Sequence, residues 1–131
     1  MRIAYVDTSC LVAIAFDEPG SRRLAARLKR FGRLFSSNLL EAELRSALIR
    51  EKVENRGEAL LSGIAWIFPS RPLTPEFDRL AVAGYLKGAD MWHLANALFL
   101  APDGKDLVFL TLDMRQKEVA ATLGFETKAL E

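Results

Sequence analysis

Ile3-Ala-Tyr-Val-Asp-Thr-Ser-Cys-Leu-Val-Ala-Ile-Ala-Phe16 is apolar along nearly its whole length, yet its centre carries the carboxylate of Asp7 and the hydroxyls of Thr8 and Ser9. Arg2 to Val6 reads as a buried strand that stops at Asp7, and Ser9 to Phe16 as a short apolar helix ended by Asp17-Glu-Pro-Gly20. A strand with no polar alternation that runs into a helix suits a parallel sheet covered on both faces. In such sheets ligands bind beyond the carboxyl ends of the strands, which is where Asp7 falls.

The rest of the chain repeats this alternation. Ser21 can cap a basic amphipathic helix running through Phe31, with Gly32 at its end, and Arg33 to Ser36 makes a second short strand. Asn38 with Glu41 three positions later forms a capping-box pattern that opens the long helix Leu39–Glu54, broken by Asn55-Arg-Gly57. A further helix is expected from Glu58 to Ile67, ending near Pro69. Thr74-Pro-Glu76 supplies an N-cap, a proline and a first-turn acid for a helix to about Lys87, ended by Gly88. Asp90 to Leu98 begins another. After the turn at Pro102-Asp-Gly104, Asp106 to Leu112 reads as a buried strand, Arg115 to Leu123 as a helix closed by Gly124, and Phe125 to Lys128 as a last strand. The expected fold class is α/β, a three-layer α/β/α sandwich with a parallel central sheet.

Bulk composition narrows the field. The 131 residues are 50% hydrophobic and 27% charged, which fits one domain over residues 1–131. A chain of this size can hold its core without disulfides or a structural metal. Cys10 is the only cysteine and His93 the only histidine, so no zinc-type ligand set exists. Met1-Arg2 runs straight into the first strand without the pattern of a secretory signal, and no apolar run reaches a membrane-spanning length. A cytoplasmic location and no membrane partner are expected. Lys+Arg 18 against Asp+Glu 17 gives a formal charge of +1, so any nucleic-acid signal must be local.

Four acids stand where chemistry would need them. Asp7 and Asp113 each follow an apolar strand and project at the same sheet edge. Glu43 falls on the apolar stripe Leu40, Leu44, Ala47, whereas Glu41 lies nearer its border and can pair with Arg45. Asp90 opens a helix on the side of His93, Leu94 and Ala97. Taken singly, Asp7, Asp90 and Asp113 can each be a helix cap or turn residue, and Glu43 can reach solvent from the edge of its stripe. Taken together they repel: at an effective dielectric of about 20, two like charges some 4 Å apart cost about 4 kcal/mol. A divalent cation relieves that repulsion, and an all-oxygen set of carboxylates and hydroxyls suits Mg²⁺ or Mn²⁺.

Val6-Asp-Thr-Ser9, Ser37-Asn-Leu-Leu-Glu-Ala-Glu-Leu44, Gly88-Ala-Asp-Met-Trp-His-Leu-Ala95 and Phe109-Leu-Thr-Leu-Asp-Met-Arg115 followed by Ala-Thr-Leu-Gly124 resemble, in order, the four motifs of PIN-domain ribonucleases. The nearest likeness is to the toxin subunits of VapBC-type toxin–antitoxin pairs. The resemblance spans essentially the whole chain, and its specificity lies in the conjunction of the four motifs. It implies an α/β/α sandwich, an acidic Mg²⁺ or Mn²⁺ site, RNA endonuclease activity, a homodimer and inhibition by a small antitoxin. By motif, it makes Asp7, Glu43, Asp90 and Asp113 the catalytic and metal-binding acids, with Thr8, Ser9 and Thr111 as supporting hydroxyls. Met91-Trp92 is bulkier than the small residue usual after the third acid, which bears on how substrate fits.

The expected reaction is in-line attack of water on an RNA phosphodiester with metal assistance, leaving 5′-phosphate and 3′-hydroxyl ends. Arg22, Arg23, Arg27, Lys29 and Arg30 are candidates for phosphate contact, and a solvated helix face explains them about as well. His93 is read as packed and hydrogen-bonded beside Asp90 rather than as a general base, because no Ser or Cys stands at suggestive spacing. Trp66, Trp92 and Phe99 are read as core or dimer contacts. Rival readings are a haloacid-dehalogenase-type phosphatase, which normally has a second Asp where this chain has Ser9, a receiver domain, which would need paired acids in the first loop, and a catalytically inactive PIN-like binding module.

Overall fold

Strand β1 (Ile3–Val6) sends alternate side chains to opposite faces, and both faces are buried. The computed structural model describes residues 1–131. Beside β1 lies β4 (Leu107–Leu110), parallel, with Ile3 opposite Leu107 and Val6 opposite Leu110. On its other side β1 pairs with β2 (Arg33–Ser37), and β2 with β3 (Ile64–Ile67), giving a four-stranded parallel sheet of order β3-β2-β1-β4. The chain steps outward from β1 to β2 to β3 and then crosses back to the far side of β1. The direction of winding therefore reverses between β1 and β4, the kind of place where such sheets open a crevice.

One face of the sheet carries α1 (Thr8–Ala15), α2 (Ser21–Leu28), α3 (Leu39–Arg50) and α4 (Gly57–Leu61). There Ala4, Val6, Val108 and Leu110 meet Cys10, Leu11, Leu24, Leu40, Leu44 and Leu48. The other face carries α5 (Thr74–Ala83), α6 (Gly88–Leu100) and α7 (Met114–Thr122), and Tyr5, Leu107 and Phe109 meet Leu80, Leu94, Leu98 and Val119. Each buried leucine or phenylalanine contributes about 1.5–3 kcal/mol, so two filled faces hold the sheet as the middle of an α/β/α sandwich. No helix is long and apolar enough to cross a membrane.

Several expected boundaries move. The helix expected from Glu58 to Ile67 stops at Leu61, and Ile64–Ile67 is β3, parallel to Leu34–Ser37. Gly63 interrupts the helix, and the open edge of β2 recruits the Ile-Ala-Trp-Ile run that follows, a tertiary preference no local pattern announces. The long helix ends at Arg50, and Glu54–Arg56 forms a 3₁₀ turn into α4. Gly88 starts α6 instead of ending α5, which stops at Ala83. Ser21 is the first residue of α2 and Gly20, at φ +84°, is its cap. Asn38 is helical, and its amide reaches the Glu41 carboxylate at 3.0 Å, so the capping box does not form. The last strand is reduced to one bridge, Val108 with Glu126, where the Phe109 N–H donates to the Glu126 carbonyl at 2.9 Å.

Candidate active site

Asp7 leaves the end of β1, and its N–H donates to the Leu110 carbonyl at 2.9 Å, so the neighbouring strand fixes its backbone. The carboxylate is buried. Its Oδ2 accepts from the Ser9 N–H at 3.3 Å and the Ser9 hydroxyl at 2.8 Å, and lies 3.1 Å from the Thr111 hydroxyl. Asp7 is thus the N-cap of α1, and one of its oxygens does the capping. The Ser9 hydroxyl also accepts from the Leu112 N–H at 3.0 Å and so ties the loop after β4 to the loop after β1.

Glu43 arrives from α3, and its Oε1 takes two partners. The Thr8 hydroxyl donates at 2.7 Å, and His93 Nε2 stands at 2.9 Å. His93 lies on α6, fully buried, with Nε2 also 3.2 Å from Thr8 Oγ1 and 3.7 Å from Asp7 Oδ1. Its Nδ1 meets the Tyr5 hydroxyl at 2.6 Å. The bond to His93 is the main reason the Glu43 carboxyl titrates below its ordinary range, outweighing the opposing effect of burial. Burial raises the Tyr5 phenol well above its ordinary value, so it stays protonated. The hydrogen bonds of His93 run to Tyr5, Glu43 and Thr8, and none runs to the Asp90 carboxylate.

Asp113 caps α7, with Oδ1 accepting from the Gln116 N–H at 2.9 Å. Asp90 lies in the first turn of α6, whose cap position is Lys87, so capping does not account for it. The buried Gln116 links the two: its Oε1 is 2.9 Å from the Thr111 hydroxyl, and its Nε2 donates to the Asp90 carbonyl at 3.3 Å. Thr111 has one proton for Asp7 and Gln116, and its oxygen accepts from the Asp113 N–H at 3.0 Å. The Asp90 carboxyl is raised above its ordinary range, first by burial and then by the charges of Asp7 and Asp113, with Glu43 adding to them. The four acids therefore share one electrostatic neighbourhood. Each helix here presents its positive N-terminal end, which offsets part of the repulsion.

The donor set fits a hard cation. Asp7 Oδ1, Glu43 Oε2, Asp113 Oδ2 and both oxygens of Asp90 take no hydrogen bond from the protein, while the other oxygen of Asp7, Glu43 and Asp113 is anchored. No three His, Cys, Asp or Glu side chains close into a cage by themselves. The all-oxygen chemistry of these donors suits Mg²⁺, which keeps several waters and is held through few direct carboxylates. Cys10 is buried beneath the site with its thiol pushed up to about 12 by burial, so it is no nucleophile. A depression of about 850 Å³ lies at the opposite end of the strands and is lined by Arg2, Lys105, Asp106 and Glu126.

The basic residues of the second helix spread over several surfaces, with Arg27 lining one hollow beside Arg23 and another beside Arg30. Arg27 turns inward and donates to the carbonyls of Ala129 and Glu131 at 2.8 and 2.5 Å. Lys29 and Arg30 lie past the end of α2, and Arg30 lines a hollow with Arg2 and Phe31 at the starting end of β1. Arg23 shares a groove with Leu112, on the loop next to the acids, and Arg22 is exposed one residue earlier. His93, expected to be packed and hydrogen-bonded beside Asp90, is bonded to Glu43 instead, and Tyr5 and Gln116 are neighbours of the acids that pattern reading passes over. Only Gln116 carried a signal, the Asp113-Met-Arg-Gln116 spacing of a capping box, and its side chain turns the other way, to Thr111 and Asp90.

Fold and site together define a class: a parallel α/β/α protein with an acidic centre at the switch point of its sheet. The chain belongs to the PIN-domain family, whose model matches residues 4–121. It is similar in structure to VapBC-1 from nontypeable Haemophilus influenzae, with a TM-score of 0.72 and 17% identity over 98% of each chain. A second similar structure is VapBC2 from Rickettsia felis bound to a DNA fragment from their promoter, with a TM-score of 0.66 and 17% identity over 95% of this chain and 98% of that one. No curated protein matches it significantly in sequence.

Proposed function

We propose that residues 1–131 form a single PIN-like domain that acts as a cytoplasmic, metal-dependent endoribonuclease, the toxin of a toxin–antitoxin pair. The observation that carries this reading is the convergence of Asp7, Glu43, Asp90 and Asp113 at one sheet edge, with an unbonded oxygen on each and the Asp90 carboxyl raised by burial and then by the charges beside it. Membership of the PIN family and likeness to two structures named VapBC support the toxin assignment and an antitoxin as partner, and a homodimer is part of the same proposal.

Asp7, Glu43, Asp90 and Asp113 would hold Mg²⁺ or Mn²⁺. The ion supplies charge neutralisation at the phosphodiester and makes water easier to deprotonate. The chain does the rest: Ser9 and Thr111 hold Asp7, Thr8 and His93 hold Glu43, and one of the free carboxylate oxygens takes the proton of the attacking water. No protein nucleophile is needed, and neither is the RNA 2′-hydroxyl, so 5′-phosphate and 3′-hydroxyl ends result.

The test is cleavage of total cellular RNA by purified, partner-free protein with Mg²⁺ or Mn²⁺, with EDTA, and with Asp7→Asn. Discrete metal-dependent cuts carrying 5′-phosphates and lost in the variant are expected. 2′,3′-cyclic phosphates, or equal cutting by the variant, would overturn the mechanism.

A further inference from the structure

We infer that His93 is a positioning residue, locked in one tautomer by Tyr5 from within the sheet, which fixes Glu43 so that a single carboxylate oxygen faces the other acids. The inference rests on reading those acids as a cation site. Its geometry starts in the backbone. The Ser37 N–H, at the end of β2, donates to the Tyr5 phenol oxygen at 3.0 Å. Glu43 Oε1, an acceptor 2.9 Å from Nε2, calls for the ring proton on Nε2, and in the neutral ring Nδ1 is then the acceptor for the phenol proton of Tyr5 at 2.6 Å. The Nε2–H thus faces Glu43 Oε1. With the Thr8 hydroxyl on the same atom at 2.7 Å, both lone pairs of Oε1 are used, and Oε2 remains the only free oxygen.

Glu43 needs such bracing more than its partners do. Asp7 and Asp113 are short side chains held by their own helix caps, whereas Glu43 is longer, about a third exposed and reaches in from another helix. Freezing a glutamate side chain costs rotamer entropy, which is then lost at each binding event unless the fold has already done the ordering. Tyr5 and His93 are both fully buried, and their rings meet edge to face with centroids 5.8 Å apart. The orientation of a partly exposed acid is thereby set by the protein interior.

The experiment is Mn²⁺ titration of the intact protein, followed by electron paramagnetic resonance, for native, His93→Leu, His93→Gln and Tyr5→Phe forms, with ¹⁵N NMR of the imidazole. His93→Leu keeps the volume and removes the donor, and Mn²⁺ affinity should fall about 10–100-fold, the usual loss when a residue behind a metal ligand is removed. His93→Gln restores an N–H near Nε2 and should recover most of that affinity. In native protein the ring should show the Nε2–H tautomer, and Tyr5→Phe should disturb it and weaken Mn²⁺. Native affinity in folded His93→Leu, or in Tyr5→Phe with an unchanged tautomer, overturns the positioning role, and the Tyr5→Phe and His93→Gln arms decide if His93→Leu does not fold. Absence of Mn²⁺ binding by native protein instead overturns the cation reading on which the role depends.

Discussion

The Thr111 hydroxyl stands 3.1 Å from Asp7 Oδ2, although 104 positions separate the two residues in the chain. The pair crosses from the end of β4 to the end of β1, the two strands between which the winding of the sheet reverses. It shows how the fold makes the site: strand register brings two loops together, a hydroxyl from one fixes one oxygen of the acid on the other, and the second oxygen stays free. The same division, one oxygen anchored and one available, recurs at Glu43 and Asp113.

Asp90 breaks that rule, since its carboxylate accepts no hydrogen bond and burial with like charge raises its titration. An acid whose folded value lies above its unfolded one destabilises the protein while ionised, and the penalty is relieved as pH falls from the raised value toward the ordinary carboxylate range. Asp90→Asn should therefore raise the Tm of metal-free protein at neutral pH, by an amount that shrinks on acidification, while abolishing cleavage. Thermal melts of the two proteins across pH, with and without Mg²⁺, check this. Mg²⁺ should stabilise native protein more than the variant; a variant less stable than native at neutral pH without metal would show that repulsion is not what Asp90 experiences.

Gly104 adopts φ +74°, and a Cβ added there would lie 2.8 Å from the Gly124 carbonyl carbon. The turn that follows α6 is packed on the backbone that ends α7, with no room for a side chain. Gly104→Ala combines a left-handed backbone with a backbone clash and should destabilise by about 1–3 kcal/mol, measured by urea unfolding. An unchanged midpoint would mean that the contact relaxes freely.

The sheet's centre and the acids were legible because they rest on local signals. Apolar runs next to Asp7 and Asp113 mark β1 and β4, and the stripe through Leu40 and Leu44 marks the inward face that carries Glu43. β3 was hidden because Ile64–Ile67 becomes a strand only by pairing with β2. The bracing residues were hidden for a related reason: Tyr5 in an apolar strand and His93 in an apolar helix look like core, and their partnership spans 88 positions. Local pattern reports which face a residue occupies, and only tertiary contact reports what it touches there.

Glu76 is buried at the start of α5 and meets Arg71 through two bonds, at 2.9 and 2.7 Å, while the guanidinium lies 5.2 Å from the centroid of the Phe99 ring. The bond to Arg71 lowers the Glu76 carboxyl below its ordinary value. A depressed acid stabilises the fold above the unfolded value, and that stability is lost as pH falls through the folded one. Glu76→Gln should lower the Tm at neutral pH and flatten the acid side of the stability curve below about pH 4.5. Parallel curves for the two proteins down to that range would remove Glu76 from the acid response.

The division of the basic residues makes a last prediction about where RNA runs. Arg22 and Arg23 are exposed at the start of α2, with Arg23 beside Leu112, whereas Arg27 is held by the C-terminal carbonyls and Arg30 faces the opposite end of the sheet. A phosphodiester seated at the four acids can have its neighbouring phosphates near the first pair. Each lost phosphate contact on a single strand lowers the slope of log affinity against log salt by about 0.7. Arg22→Ala with Arg23→Ala should therefore weaken RNA binding and reduce that slope by about 1.4, while Lys29→Ala with Arg30→Ala leaves both unchanged, as measured by fluorescence anisotropy on Asp7→Asn protein. Equal losses from the two pairs would mean that α2 contributes only diffuse charge, and a loss confined to the second pair would place the RNA on the other side of the sheet.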